Sequence, residues 1–250
     1  LLVEQKTKRL LEAERLAAVG ETVSGLAHAI KNIAGGLTGG AFVLEKGIER
    51  HNEKYLRQGW DMVRGNLGRI KSMTLDLLSF SKERAPDYKL CDPNRLAQEI
   101  ADLMLPRAQE YDVTLKVELD ESLPQVWLDP EGIHRCLLNL STNALDACIN
   151  VECAQKKATV ILRTTKPKGW ALEYQVIDNG CGMDKETSKK IFQRFFSTKG
   201  SRGTGLGLMI TKKIIDEHEG AIAFESEPGK GTKFVFKLPE RDQPPEGDCD

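Results

Sequence analysis

Residues 176–184 read VIDNGCGMD, and the reading of this stretch decides the fold of what surrounds it. An apolar run stops at Asp178, and Gly180 and Gly182 follow at once. Such a run is a strand reaching its end, and glycines just beyond it let the backbone turn and lie close to a neighbour. Three more short signatures flank this one. NLSTNALDA, residues 139–147, puts Asn139 and Asn143 four apart on a predicted helix, so both amides face one way. GSRGTGLGL, residues 200–208, sets Gly200, Gly203, Gly205 and Gly207 at the entrance to another helix. Thr204, Leu206 and Leu208 lie between and beside these glycines, and Lys199 precedes them. PGKGTKF, residues 228–234, places Gly229 and Gly231 in a turn between two strands, with Thr232 opening the second.

Each signature has a chemical reading if the ligand is ATP. Asp178, at a buried strand end, accepts a hydrogen bond from an exocyclic amine such as the adenine N6, and the glycines beside it admit a flat base. The asparagine oxygens are hard neutral ligands suited to Mg²⁺, which keeps several waters and bridges to phosphates. A glycine run leading into a helix offers backbone N–H groups and a positive dipole end to a triphosphate, with Lys199 as a phosphate-contacting cation. Each also has a plain reading, as a capped loop, a common glycine turn, or helix-surface amides. The ordered set, each member on the expected element type, favours the nucleotide.

The elements around the signatures fix the architecture. PNRLAQEIADLMLPRAQEY, after Asp92, is helical, as are stretches near Ile133–Val151 and Leu206–Glu217. DVTLKVELD, ATVILRTT, WALEYQVID, GAIAFES and TKFVFKLP alternate with period two. Residues 91–239 are therefore expected to form an α/β two-layer sandwich, with helices on one face of a mixed sheet. The acidic, proline-bearing tail at 240–250 is expected to be disordered.

Residues 1–86 have a different period. Leu16, Val19, Val23, Leu26, Ile30, Ile33 and Leu37 recur in steps of three and four, then Trp60, Val63, Leu67, Ile70, Leu77 and Leu78 after a polar break. Two such helices form an α-helical hairpin, ended by Pro86. One hairpin cannot bury two apolar stripes, so a homodimer is expected, closing a four-helix bundle.

Composition narrows the class. Of 250 residues, 40% are hydrophobic and 29% charged, with a formal charge of -1, which gives no global field for nucleic acid or acidic lipid. The six cysteines form no C-x-x-C pair and fit a reducing compartment. No apolar run spans a bilayer and no signal segment opens the chain. It begins at Leu1 inside a helical pattern, as a piece of something longer would. The region is expected to be cytoplasmic, with any membrane anchor in segments outside this chain.

The four signatures resemble the ATP-binding domain shared by histidine kinases, type II topoisomerases, Hsp90 and mismatch-repair ATPases. IFQRFFSTKG, residues 191–200, resembles the phenylalanine-rich segment of the histidine kinase branch. Residues 1–86 resemble the dimerisation and histidine-phosphotransfer hairpin, with GLAHAIKN, residues 25–32, as the histidine box. The resemblance implies a sensor histidine kinase core that uses ATP and Mg²⁺, autophosphorylates His28, and passes the phosphoryl group to a response-regulator aspartate. Hydrolytic relatives carry a glutamate four residues before the magnesium asparagine; here that position is Asn139, which cannot take a proton from water. The ATP site looks built for an external nucleophile, and a neutral imidazole is a competent one near pH 7.

The histidine box departs from the family pattern. The acid that follows the histidine in relatives is Ala29 here, while Asn32 remains to orient a water for dephosphorylating the partner. A natural subgroup with another base, a deliberate mutant and a silenced kinase all stay open, as does a phosphatase-biased or non-catalytic nucleotide-sensing dimer. The subgroup is favoured because Ile33 replaces a kinking proline and Gly35, Gly36, Gly39 and Gly40 follow. Those glycines mark close helix approach or a hinge. Lys31, at i+3 from His28, is either solvated or disfavours imidazolium and then pairs with the arriving phosphoryl group.

Overall fold

A computed structural model describes residues 2–81, 86–149, 157–193, 195–199, 203, 205–241 and 243; of residues 2–24, 28, 72 and 75–81 it gives the backbone alone. Two compact units result. The first is Leu1–Lys82 with Gln193–Leu206; the second is Glu83–Phe192 with Gly207–Asp250. Most of the expected tail at 240–250 lies outside the described residues.

In the first unit, helix α1 (Leu2–Glu49) and helix α2 (Glu53–Ser81) form the hairpin. Asn52 makes both ends: its N–H donates to the Gly47 carbonyl at 2.9 Å, closing α1, and its Oδ1 accepts from the Tyr55 N–H at 3.2 Å, capping α2. His51 between them takes the left-handed φ of 49° that such a helix end needs. Among the described side chains, the buried positions are Ile33, Gly40 and Gly47 on α1 and Gly59, Asn66 and Met73 on α2. Both rows step by seven, the spacing of a coiled-coil seam.

The seam is narrow because it is lined with glycine. A methyl group at Gly59 would lie 2.7 Å from the Leu44 nitrogen, and one at Gly36 would lie 2.6 Å from the Asn66 amide. Close approach therefore accounts for Gly36, Gly40, Gly47 and Gly59, and α1 runs unbroken through the glycines. Nothing lies within 4 Å of a methyl group at Gly35, Gly65 or Gly68. Part of the expected stripes therefore faces outward. Ile30, Trp60 and Leu67 are 54, 54 and 53% exposed, and Phe42 and Ile48 are more so. Those side chains form a second apolar surface that the hairpin alone does not bury.

The second unit contains β1 (Lys89–Cys91), α3 (Pro93–Glu110), β2 (Thr114–Glu118), β3 (Val126–Leu128), α4 (Pro130–Ile149), β4 (Thr159–Thr165), β5 (Leu172–Asp178), α5 (Lys185–Ser188), α6 (Gly207–Glu217), β6 (Ala221–Glu227) and β7 (Gly231–Leu238). Five strands make a mixed sheet in the order β2-β4-β5-β7-β6, parallel only between β2 and β4. Every strand expected from the period-two stretches is in it. The three-residue strands β1 and β3 form a separate antiparallel ribbon that was not expected, being too short to show a period.

Helices α3, α4 and α6 pack with one another and against this sheet, giving the two layers. Asp92 caps α3, accepting from the Asn94 and Arg95 N–H groups, with Pro93 at the first turn. Leu137, Leu140, Leu162, Leu172, Tyr174 and Phe236 fill the interior, and the Tyr174 hydroxyl donates to the Pro93 carbonyl at 2.7 Å. Val151, the expected end of α4, lies outside the described residues.

Candidate functional site

Strand register brings the first part of the site together. Asp178 at the end of β5 is paired across the sheet with Thr232 of β7. Its Oδ1 accepts from the Gly180 N–H at 2.9 Å and the Thr232 N–H at 3.3 Å. Among the described residues no donor reaches Oδ2. Burial, opposed by those two N–H groups, pushes the Asp178 carboxyl up to about 6. The result is a buried carboxylate that is fixed through one oxygen and offers the other.

The glycines around it are required by contact. Gly231, at φ +104°, abuts the Asp178 carbonyl, and Gly182, at φ +65°, abuts the Glu227 carbonyl. A methyl group at Gly180 would lie 2.5 Å from the Ala147 carbonyl of α4, to which the Cys181 N–H donates at 3.3 Å. No side chain fits at these places, so the loop lies tight against the helix. Gly229 takes a left-handed φ of 73° in the turn before β7, and its N–H donates to the Cys181 carbonyl at 2.7 Å.

Helix α4 carries the second part. Asn139, Asn143 and Ala147 recur every four residues on one face, a row about 12 Å long. Ala147 touches the Asp178 loop. At the other end the Asn139 amide donates to the Gly207 carbonyl at 3.2 Å and to the Thr211 hydroxyl at 3.4 Å, tying α4 to the first turn of α6. Asn139 is thus a tether for the helix entrance, and only its Oδ1 is left for a ligand. Both asparagines are half-buried, and so are Gly207 and Leu208.

Other expected residues lie in the first unit. Lys31 is exposed on α1, Asn32 is half-buried one turn beyond His28, and His28 is described by its backbone alone. The Lys199 N–H donates to the Ser197 hydroxyl at 3.1 Å, and Gly203 packs against the same serine. Gly205, at φ +67°, rests on the backbone of Phe195, and Leu206 is buried. Gly200 and Thr204 lie outside the described residues.

Sequence reasoning missed two supports of the site. Ser226 accepts from the Met183 N–H, donates to the Gly231 carbonyl and meets the Thr232 hydroxyl at 2.9 Å, so Thr232 is oriented by a neighbour. Its signal was its place opposite Thr232 in the strand pairing, which only the register reveals. Asn179 accepts from the Thr159 N–H at 2.7 Å and donates to the Lys157 carbonyl, anchoring the turn to β4.

Residues 128–242 match the family described as histidine kinase-, DNA gyrase B-, and HSP90-like ATPase. The chain is 31% identical over 237 residues to the signal transduction histidine-protein kinase AtoS of Escherichia coli (strain K12), covering 94% of this chain and 37% of that protein. Its fold resembles that of full-length ShkA in complex with AMPPNP, with 21% identity, a TM-score of 0.63, and coverage of 88% of this chain and 46% of that one. It also resembles histidine kinase ThkA in complex with response regulator protein TrrA, with 24% identity, a TM-score of 0.67, and coverage of 96% and 67%. The chain spans well under half the length of the curated relative it matches.

Proposed function

We propose that the chain, which is similar to histidine kinases over most of its length, is a sensor histidine kinase catalytic core that transfers the γ-phosphoryl group of ATP to His28 and then to an aspartate of a response regulator. The observation that carries this reading is the Asp178 carboxylate, held through Oδ1 by two backbone N–H groups with Oδ2 left to accept. An adenine N6 amine is the matching donor, with Gly180 and Gly182 beneath the ring. From there the α4 row leads to the first turn of α6, whose N–H groups favour phosphate.

The donor set fits a magnesium ion, since two neutral amide oxygens leave room for the waters and phosphate oxygens it keeps. Asn143, with the Oδ1 of Asn139, would hold it, and when bound it supplies charge neutralisation on the phosphates. The remaining work falls to the chain. Asp178 orients the base, Asn139 fixes the entrance of α6, and Lys199 balances phosphate charge. His28 attacks as the neutral imidazole. A response regulator, the kind of protein named in the ThkA complex, is the proposed acceptor, and the outward apolar side chains of the hairpin are the proposed homodimer interface.

Ala29 favours a second reading, a core biased to dephosphorylating its partner with Asn32 as the water-positioning group. Incubation with γ-labelled ATP and Mg²⁺ separates the two. The kinase reading expects acid-labile, base-stable label that His28→Ala removes. Absence of label in a chain that binds ATP would overturn it, and phosphate release from a phosphorylated receiver that Asn32→Ala abolishes would establish the second.

A further inference from the structure

Three polar side chains stand in a row across the end of the mixed sheet. Register pairs Asp178 of β5 with Thr232 of β7, and Thr232 in turn with Ser226 of β6. Directly paired residues of antiparallel strands point to the same face, so one carboxylate and two hydroxyls lie side by side. The Thr232 N–H donates to Asp178 Oδ1 at 3.3 Å, and the Thr232 and Ser226 hydroxyls meet at 2.9 Å.

The direction of that last bond follows from the other partners of Ser226. The Met183 N–H, just beyond Gly182, can only donate, at 2.9 Å, and the Gly231 carbonyl can only accept, at 3.2 Å. A hydroxyl has one hydrogen and two lone pairs. With its hydrogen on Gly231 and one lone pair on Met183, Ser226 keeps a single lone pair for Thr232. Thr232 is therefore the donor, and its oxygen retains only accepting capacity. It is buried, 6% exposed, so a hydrogen turned away from Ser226 would leave a buried bond unmade.

The geometry points to Ser226 as a specificity-determining residue: it locks the Thr232 hydroxyl as a second acceptor beside Asp178 Oδ2, so that the site takes a purine with an amine at position 6 and rejects one with a carbonyl there. The inference rests on the ATP reading above and names how the base is chosen. The exocyclic amine of adenine carries two hydrogens, one for each acceptor. A 6-carbonyl would face both acceptors with no hydrogen between them, which in a buried site costs more than the loss of a bond. Ser226 acts through Thr232 and is a positioning residue. Without its oxygen the Thr232 hydrogen is released and is free to turn toward a carbonyl.

Calorimetric titration of the full chain with ATP and with inosine triphosphate, which has a carbonyl at position 6, tests this in the presence of Mg²⁺. The titration is run at pH 8, where the Asp178 carboxyl is ionised. The readout is the ratio of the two Kd values on one protein, in which any general loosening of the pocket cancels. Ser226→Ala should lower the preference for ATP about fivefold, the worth of one neutral hydrogen bond, mainly by tightening inosine triphosphate. Ser226→Thr restores the hydroxyl and should restore the wild-type ratio. An unchanged ratio in Ser226→Ala, or an equal fall in Ser226→Thr, would overturn the proposal and leave Ser226 a tie between strands. If Ser226→Ala does not fold, Thr232→Val removes the acceptor itself and should lower the ratio likewise; an unchanged ratio there overturns the proposal too. Wild type that binds neither nucleotide would remove the ATP reading and this proposal together, whereas wild type that prefers ATP by a ratio indifferent to residue 226 removes only the proposal.

Discussion

Replacing Asp178 with asparagine should stabilise the nucleotide-free protein at pH 8 and gain nothing at pH 4. Asp178 is buried, 6% exposed, and its carboxyl has moved from the usual 3.8 to about 6. At about 1.4 kcal/mol per unit, that shift corresponds to about 3 kcal/mol. Its sign follows from proton binding. Between about pH 4 and pH 6 the native state keeps a proton that the unfolded chain has lost, so wild-type stability falls as pH rises through this window. Asparagine does not titrate, and its Oδ1 can accept from the same Gly180 and Thr232 N–H groups. The shift is already net of the charge-assisted part of those bonds, so the variant should exceed wild type by about 3 kcal/mol at pH 8 and approach parity at pH 4. Urea unfolding read from Trp127 and Trp170, both half-buried in this unit, measures it in a Trp60→Phe background. The reference is the difference between the two proteins, which cancels every other titrating group. A difference that is flat or shrinks as pH rises would refute the account of Asp178 as a carboxylate held against its own burial. The same substitution should weaken ATP at least tenfold, because the amide offers an N–H where the adenine amine needs an acceptor.

Three further outcomes follow from the same geometry. His218 is 2% exposed, accepts from the Asp129 N–H at 3.0 Å and meets the Ile214 carbonyl at 2.7 Å, which requires the neutral ring; burial pulls its pKa down. Below about pH 6.5 the unfolded state takes up a proton that the native state refuses. The stability advantage of wild type over His218→Gln, measured by thermal unfolding, should shrink as pH falls from 8 to 5.5, and growth over that range would refute it. Gly182→Ala places a methyl against the Glu227 carbonyl at a left-handed φ and should cost about 3 kcal/mol, whereas Gly169→Ala, left-handed but open, should cost about 1 kcal/mol in the same urea assay. In the hairpin, Gly36→Ala should lower the helical melting temperature because its methyl meets Asn66, while Gly35→Ala, with nothing within 4 Å, should add about 1 kcal/mol; equal effects would dissolve the distinction between inner and outer glycines.

The chemistry-bearing residues were legible because short-range rules place them. A strand ending in Asp178, two amides one turn apart and glycines at a helix entrance are statements about neighbours in sequence, and the elements they imply are present. The line along which the two helices of the hairpin meet was not legible in the same way. Ile30, Trp60 and Leu67 fit a helical period yet lie outward, because glycines at positions 40, 47 and 59 let the helices approach along a narrower line that no hydrophobicity pattern marks.

By itself the sequence determined the hairpin, the five long strands of the mixed sheet with their three long helices, and the types of residue at the candidate site, since period, capping and glycine placement act over a few residues. Tertiary structure alone decided that Asp178 pairs with Thr232, that Ser226 meets the threonine hydroxyl, that Asn139 holds Gly207, and that Phe195 rests on Gly25. Each of those joins residues tens to more than a hundred positions apart or fixes a strand register. Such contacts depend on how packed surfaces meet, and a one-residue slip in register would turn every side chain involved to the opposite face.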